Sequence, residues 1–165
     1  LALNATVVLS DGKTRRKVLL KNLFKGYKQL DKTDDEYLEC IEFKLPAQNS
    51  YFNFEKVSKR THLDIASVNS ATYVETENNI ITDIHISAGG VSPIPLYLEK
   101  TSQFLLRKKL MIDSIVDAIP IIQSEISPIS DIRGSADYKR LLLNQLFKAH
   151  FIELFPELIS VEELI

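Results

Sequence analysis

The chain reads as an α+β protein, an antiparallel meander followed by helices and preceded by a β-hairpin and loop. Three observations predict this. Residues 51–88 run as successive strand-like stretches separated by turn residues, and beyond residue 98 the apolar period lengthens from two to between three and four. The two patterns are segregated along the chain, which favours α+β over an interleaved α/β arrangement. With 165 residues and 45% hydrophobic content, one core can be buried without disulfides or metals.

The elements follow in order. Apolar and β-branched stretches at 3–9 and 14–19 flank Ser10-Asp11-Gly12-Lys13, and Asp-Gly predicts a hairpin turn. "LKNLFKGYKQLDKTDDE" carries Gly26 and a dense polar run, so a short helical turn and an exposed loop are expected. "YLECIEFKL" alternates and ends at Pro46, predicting a strand with one face buried.

The stretches "YFNFEKVSKR", "DIASVNSATYVETE" and "NIITDIHISAGG" predict an antiparallel meander, with Glu77-Asn78-Asn79 as a tight turn. Gly89-Gly90 and Pro93/Pro95 end it. In "MIDSIVDAIPIIQSEI" the isoleucines fall near helical spacing, and Pro120 predicts a kink or a break into two helices. The last helix has Ser135 as N-cap, a stripe of Leu143, Phe147, Phe151 and Leu154, and Pro156 as its stop. That stripe reads as core, with His150 packed beside it.

Composition removes several function classes. Net charge is −2, from 20 basic and 22 acidic residues, so the broad basic field of a nucleic-acid binder is absent. Cys40 is the sole cysteine, which excludes iron–sulfur and zinc sites built on thiolates, and His62, His85 and His150 have no ligand spacing. No G-x-S-x-G, P-loop, G-x-G-x-x-G or H-E-x-x-H occurs. With neither a spanning apolar run nor a leader, a cytoplasmic location is expected. The start at Leu1, without an initiator Met, suggests a fragment of something longer.

The stretch "KVSKRTHLDIASV", residues 56–68, gathers cations at the mouth of a strand. A solvated loop is the plain reading. However, the stretch also resembles the K-x-S-K-R-x-x-x-D-I-(A/S) segment of the FAD-carrying small subunit of bacterial-type xanthine dehydrogenase and related molybdenum hydroxylases. Three further stretches resemble that family in the same order: "RRKVLLKNLFKGYKQLDKTDDEYLECIEFKLP", "HISAGGVSPIPL" and "SDIRGSADYKRLLLNQLF". Each is loose alone, and four in register are specific.

The resemblance implies a fold like the CO dehydrogenase flavoprotein C-terminal domain over 48–165, an antiparallel sheet of three to four strands packed against a three-helix layer, preceded at 1–47 by the β-hairpin and loop tail of the FAD-binding lobe. It also implies FAD in the full-length subunit and NAD as acceptor, with [2Fe-2S] and molybdopterin elsewhere in the complex. The partners implied are the N-terminal [2Fe-2S] and FAD-binding regions of the same protein and a molybdopterin-binding large subunit. On the resemblance, Lys56 reaches the pyrimidine edge of the isoalloxazine, and Leu38 with Tyr37 packs on the ring. Tyr27 lies near the nicotinamide, although Lys28-Gln29 stands where the family has Arg-Lys. Lys59, Arg60 and Asp64 fall in a charged loop over the flavin, with an electrostatic role at most; surface charge is the competing explanation. A different class also fits the pattern, a cofactor-free structural or interaction module docking on a partner. Convergence of Lys56 and Leu38 on one cleft separates the two.

Overall fold

The Asp11-Gly12 turn joins β1 (Thr6–Ser10) to β2 (Arg15–Leu19) in the computed structural model, which describes residues 1–60 and 62–164. Gly12 sits at φ +86°, and the Asp11 carboxylate accepts hydrogen bonds from the Lys13 and Thr14 amides at 2.8 and 2.6 Å. A four-residue helix α1 (Leu20–Leu23) follows. Residues expected as loop then form a small hairpin, β3 (Phe24–Gly26) with β4 (Gln29–Leu30). β5 (Tyr37–Glu42) returns antiparallel on the other side of β1, so the order is β2-β1-β5. Val7, Leu9 and Leu23 make a small core beneath it.

Arg16 on β2 holds the intervening loop. Its guanidinium donates to both Glu36 oxygens at 2.6 and 2.8 Å, and to the Asp31 carboxylate and carbonyl at 3.1 and 2.8 Å. The hydrogen bonds from Arg16 push the Glu36 carboxyl down to about 2.

β5 departs from expectation: it was predicted to bury one face, yet every residue in it is exposed. Alternation suits a strand to burial, but burial also needs a covering layer. β5 has only β1 as strand neighbour among the described residues. Cys40 is accordingly an exposed sheet residue.

The second sheet is the predicted meander with a short fourth strand: β6 (Ser50–Val57), β7 (Val68–Glu77), β8 (Ile80–Gly89) and β9 (Leu96–Tyr97), hydrogen-bonded in that order. Its period of two sorts the faces. Val68, Ser70, Thr72 and Val74 of β7 share one face with Ala88, Ile86 and Ile84 of β8, all buried. Three helices cover that face: α2 (Glu99–Leu105), α3 (Ile112–Glu125) and α4 (Ala136–Leu154), with α4 lying across β6 and β7. A short α5 (Val161–Leu164) follows, tied back where the Lys148 ammonium donates to the Leu164 carbonyl at 2.5 Å.

Of the kink or break expected at Pro120, the break does not occur, because α3 runs unbroken through it. Pro120 and Val116, whose carbonyl loses its helical partner, are both exposed, so the freed carbonyl is on the solvent side of the helix. α4 begins as predicted: the Ser135 hydroxyl accepts from the Tyr138 amide at 3.1 Å. The Glu125 carboxylate, at the end of α3, accepts from the Lys100 and Thr101 amides of α2's first turn at 2.8 and 2.9 Å.

Leu143, Phe147 and Phe151 are buried on α4's inner face, as the stripe predicted. Phe147→Ala should cost about 3–5 kcal/mol, read as a fall in denaturant midpoint at unchanged m-value. His150 is fully buried, and among the described residues neither ring nitrogen has a hydrogen-bond partner, nor does Thr72 Oγ1, also on the core side. Burial pushes the His150 imidazole down to about 4 from 6.5. The folded value lies below the unfolded one, so the stability contributed above about pH 6.5 is lost as pH falls through about 4. The loss is about 3 kcal/mol at one pKa unit per 1.36 kcal/mol. A His150→Leu variant should lack that portion of the pH dependence in urea titrations between pH 7 and 4.

Candidate functional site

The face of the second sheet turned away from the helices carries Phe52, Phe54 and Lys56 on β6, which register with Tyr73, Ala71 and Asn69 on β7. The N-terminal sheet leans over this face and encloses a cleft of about 470 Å³. Ile41 and Phe43 line one wall, Phe52 and Phe54 the other, and Asn69, Ser87 and Gly89 lie between. All four large side chains are about half exposed.

Lys56 continues the Phe52/Phe54 row on the same sheet face, outside the lining of the cleft. Its ammonium is exposed, donates to the Asp64 carbonyl at 2.7 Å, and forms no ion pair among the described residues. Leu38 registers with Leu9, and Ile41 with Val7 across a β-bulge, so Leu38 shares the face of β5 that carries Ile41. Leu38, like Lys56, is on a cleft-bearing face without lining the cleft itself. Tyr37 registers with Ser10, which puts it on the other face of the sheet, with Cys40 and Glu42. Tyr37 and Leu38 therefore do not face the cleft together.

The charged loop is largely closed on itself. The Asp64 carboxylate accepts from the Arg60 amide at 3.0 Å and pairs with the Arg60 guanidinium at 3.4 Å, and the hydrogen bonds from Arg60 hold its carboxyl below the usual range. The Lys59 ammonium donates to the Ile132 carbonyl. Arg60 and Asp64 spend their charges on each other, and Lys59 ties this loop to the segment 129–134.

That segment helps form a second, larger cavity of about 600 Å³, to which Tyr27 contributes from the β3–β4 turn. Around it lie Ser67, Gly90, Asp131, Arg133 and Lys139. Lys139 is 3% exposed and pairs with Asp131 at 2.9 Å while donating to the Ile129 carbonyl at 2.9 Å; Arg133 reaches the same carboxylate at 3.5 Å. The Lys139 hydrogen bond is the main reason the Asp131 carboxyl titrates below its usual range. The Ser67 hydroxyl donates to the Arg133 carbonyl at 2.9 Å.

The structure puts Tyr27 in the second cavity, and Lys56 and Leu38 on the two sheet faces that border the first cleft but not in its lining. Residue-by-residue reading assigned no role to Phe52, Phe54, Gly90, Asp131, Arg133 or Lys139. The signal for the second cavity was present in "SAGG" and "SDIRGS", which meet there. No signal marked Phe52 and Phe54, because alternation does not say which face will be left open. Among the described residues no group of acidic, histidine or cysteine side chains is arranged to hold a metal ion, and no helix is long and apolar enough to cross a membrane.

The sequence pattern of the CO dehydrogenase flavoprotein C-terminal domain matches residues 53–154, more than half of the chain. The chain belongs to this family. Among relatives, the glyceraldehyde dehydrogenase medium chain of Sulfolobus acidocaldarius is 32% identical over 152 residues, covering 92% of this chain and 53% of that one. The nicotinate dehydrogenase FAD-subunit of Eubacterium barkeri is 24% identical, covering 94% and 54%. Xanthine dehydrogenase 1 of Arabidopsis thaliana is 29% identical over 83% of this chain and 10% of that protein. The fold matches the carbon monoxide dehydrogenase of Hydrogenophaga pseudoflava with a TM-score of 0.88 at 24% identity, over 95% of this chain and 54% of that one. The chain spans about half the length of the medium-chain relatives it matches. The fold of this flavoprotein domain family is the one the resemblance implied.

Gly90, from the "SAGG" stretch, carries a further expectation for this family member. It has φ +84°, and a Cβ there would lie 2.3 Å from the Ser67 carbonyl oxygen. Gly90→Ala should cost at least about 2 kcal/mol, because strain in the left-handed region adds to a clash with backbone. Differential scanning calorimetry of the variant against the parent measures it.

Proposed function

We propose that the chain is the C-terminal portion of the FAD-carrying subunit of a xanthine dehydrogenase-like molybdenum hydroxylase, in which electrons pass from [2Fe-2S] centres through FAD to NAD. Residues 1–47 are then the end of the FAD-binding lobe and 48–165 the domain beside it. The observation that carries this reading is the Lys56 ammonium, exposed on the same sheet face as the Phe52/Phe54 wall of an apolar cleft and in no ion pair among the described residues, in a chain of this family.

FAD, when bound, supplies reversible two-electron transfer between donor and acceptor. The residues present suit its ring system. Leu38 and the Phe52/Phe54 row offer apolar surface, and Lys56 offers a positive charge for the pyrimidine edge. The described residues include no glycine-rich turn at a helix start, so the pyrophosphate must be held by other chain. A cation about 4 Å from a unit negative charge is worth up to roughly 4 kcal/mol at an effective dielectric near 20. Because Lys56 is exposed, screening reduces that to a fraction. Tyr27, Gly90 and Arg133 in the second cavity would receive the acceptor; its aromatic ring and cations suit a nicotinamide dinucleotide.

In the flavin-loaded subunit, Lys56→Ala should lower the FAD reduction potential, because the reduced anion loses more stabilisation than the neutral oxidised ring. For a two-electron couple about 30 mV corresponds to 1.4 kcal/mol, so a shift of tens of millivolts is expected in a spectroelectrochemical titration. An unchanged potential with FAD fully bound would reduce Lys56 to a tether for the Asp64 loop. A subunit that never carries flavin would favour the cofactor-free docking module.

A further inference from the structure

We propose that Tyr97 is a redox-active tyrosine whose phenolic proton passes to His85 when a strong one-electron oxidant, of the class of a ruthenium(III) polypyridine or an organic radical, takes an electron from the ring. The O–H bond breaks and an N–H bond forms at His85 Nδ1. The products are the reduced oxidant, a neutral tyrosyl radical and an imidazolium facing Asp83. Nothing in this chemistry requires flavin.

The period of the sheet places the groups. Ile84 and Ile86 are buried under the helices, so His85 between them is on the opposite face, where it registers with Tyr73; Tyr97 on β9 registers with Ser87, one step further along the same face of β8. The Tyr97 hydroxyl lies 2.7 Å from His85 Nδ1. The Asp83 carboxylate, which can only accept, lies 3.3 Å from Nε2 and favours the tautomer protonated there, so Nδ1 accepts from the phenol. Asp83 is held in turn, its other oxygen accepting from the Ile84 amide at 3.0 Å. The imidazole is thus the base, and Asp83 is a positioning residue that also offsets the charge the imidazole acquires.

The chain has six tyrosines and no tryptophan, and their surroundings differ. Losing an electron turns a phenol into a strong acid, so oxidation is easiest where a base already holds the proton's destination. Tyr27, Tyr37, Tyr51 and Tyr138 are exposed and release the proton to water or buffer. Tyr73 donates to the Glu75 carboxylate, a weaker base than imidazole. Burial holds the Tyr97 phenol above its usual range, so the proton is still present when the electron leaves. Lys21, 4.5 Å over the ring, opposes a cation radical. A neutral radical escapes that penalty, and Glu99 pairs with Lys21 at 3.4 Å.

The test oxidises this chain with photogenerated tris(bipyridine)ruthenium(III) and follows the tyrosyl radical by transient absorption. A fast phase independent of buffer concentration is expected, because its proton goes to His85, ahead of a slower, buffer-dependent oxidation of the exposed tyrosines. Tyr97→Phe should remove the fast phase, and Tyr73→Phe should leave it. His85→Gln, which keeps an acceptor without a base, should slow Tyr97 oxidation at least about tenfold and make it buffer-dependent. Asp83→Asn should slow it without introducing buffer dependence, since the base remains and only its counter-charge is lost. The melting temperature of each variant shows whether it still folds. Where one does not, the parent decides: the magnetic resonance spectrum of its trapped radical should show one exchangeable proton hydrogen-bonded to the phenoxyl oxygen. Absence of a fast phase, a fast phase that survives Tyr97→Phe, one that follows buffer concentration in the parent, one that His85→Gln leaves unchanged, or a trapped radical without that proton each overturns the proposal.

Discussion

Burial of one face of the four-stranded sheet is the constraint on which the remainder depends. Val68, Val74, Ile84 and Ile86 are driven under the helices, and because successive side chains alternate, their neighbours Asn69, Ala71, Tyr73 and His85 are committed to the opposite face. A slip of one residue in β7 would exchange the two sets. The position of Lys56 is therefore set by packing some distance away: it is on the cleft-bearing face because Val57, next to it, packs against the helical core.

The junction between the two sheets is polar where the cleft ends. The His85 ring lies between the Tyr97 hydroxyl at 2.7 Å and the Asp83 carboxylate at 3.3 Å, and Lys21 of α1 sits over the Tyr97 ring while pairing with Glu99 at 3.4 Å. These contacts are individually modest, since most of the groups are partly solvated. Of these groups only Lys21 comes from the N-terminal part, and it links that part to Tyr97 and Glu99.

Much of this was legible in the residues. The hairpin at Asp11-Gly12, the meander, the Ser135 cap and the Phe147/Phe151 stripe all follow from local chemistry that the fold does not override. The misreadings have one source, which is that local pattern does not say what stands opposite. β5 alternates like a half-buried strand and finds no layer to bury it. Pro120 should break a helix, yet the carbonyl it orphans faces water. At the site, Lys56 and Leu38 were named only through the family resemblance, and the pairing of Arg60 with Asp64 and the separation of Tyr37 from Leu38 by one step of the pleat required coordinates.

The reach of Glu125 back to α2 has a consequence for how the helical layer comes apart. The last residue of α3 supplies the acceptors for the Lys100 and Thr101 amides, so the start of one helix is closed by the end of the next. Fraying at the C-terminus of α3 strips the cap from α2, and unwinding of α2 leaves the carboxylate without its donors. The pair should open as one cooperative unit, with a common protection factor, although Leu106–Met111 separate them in the chain.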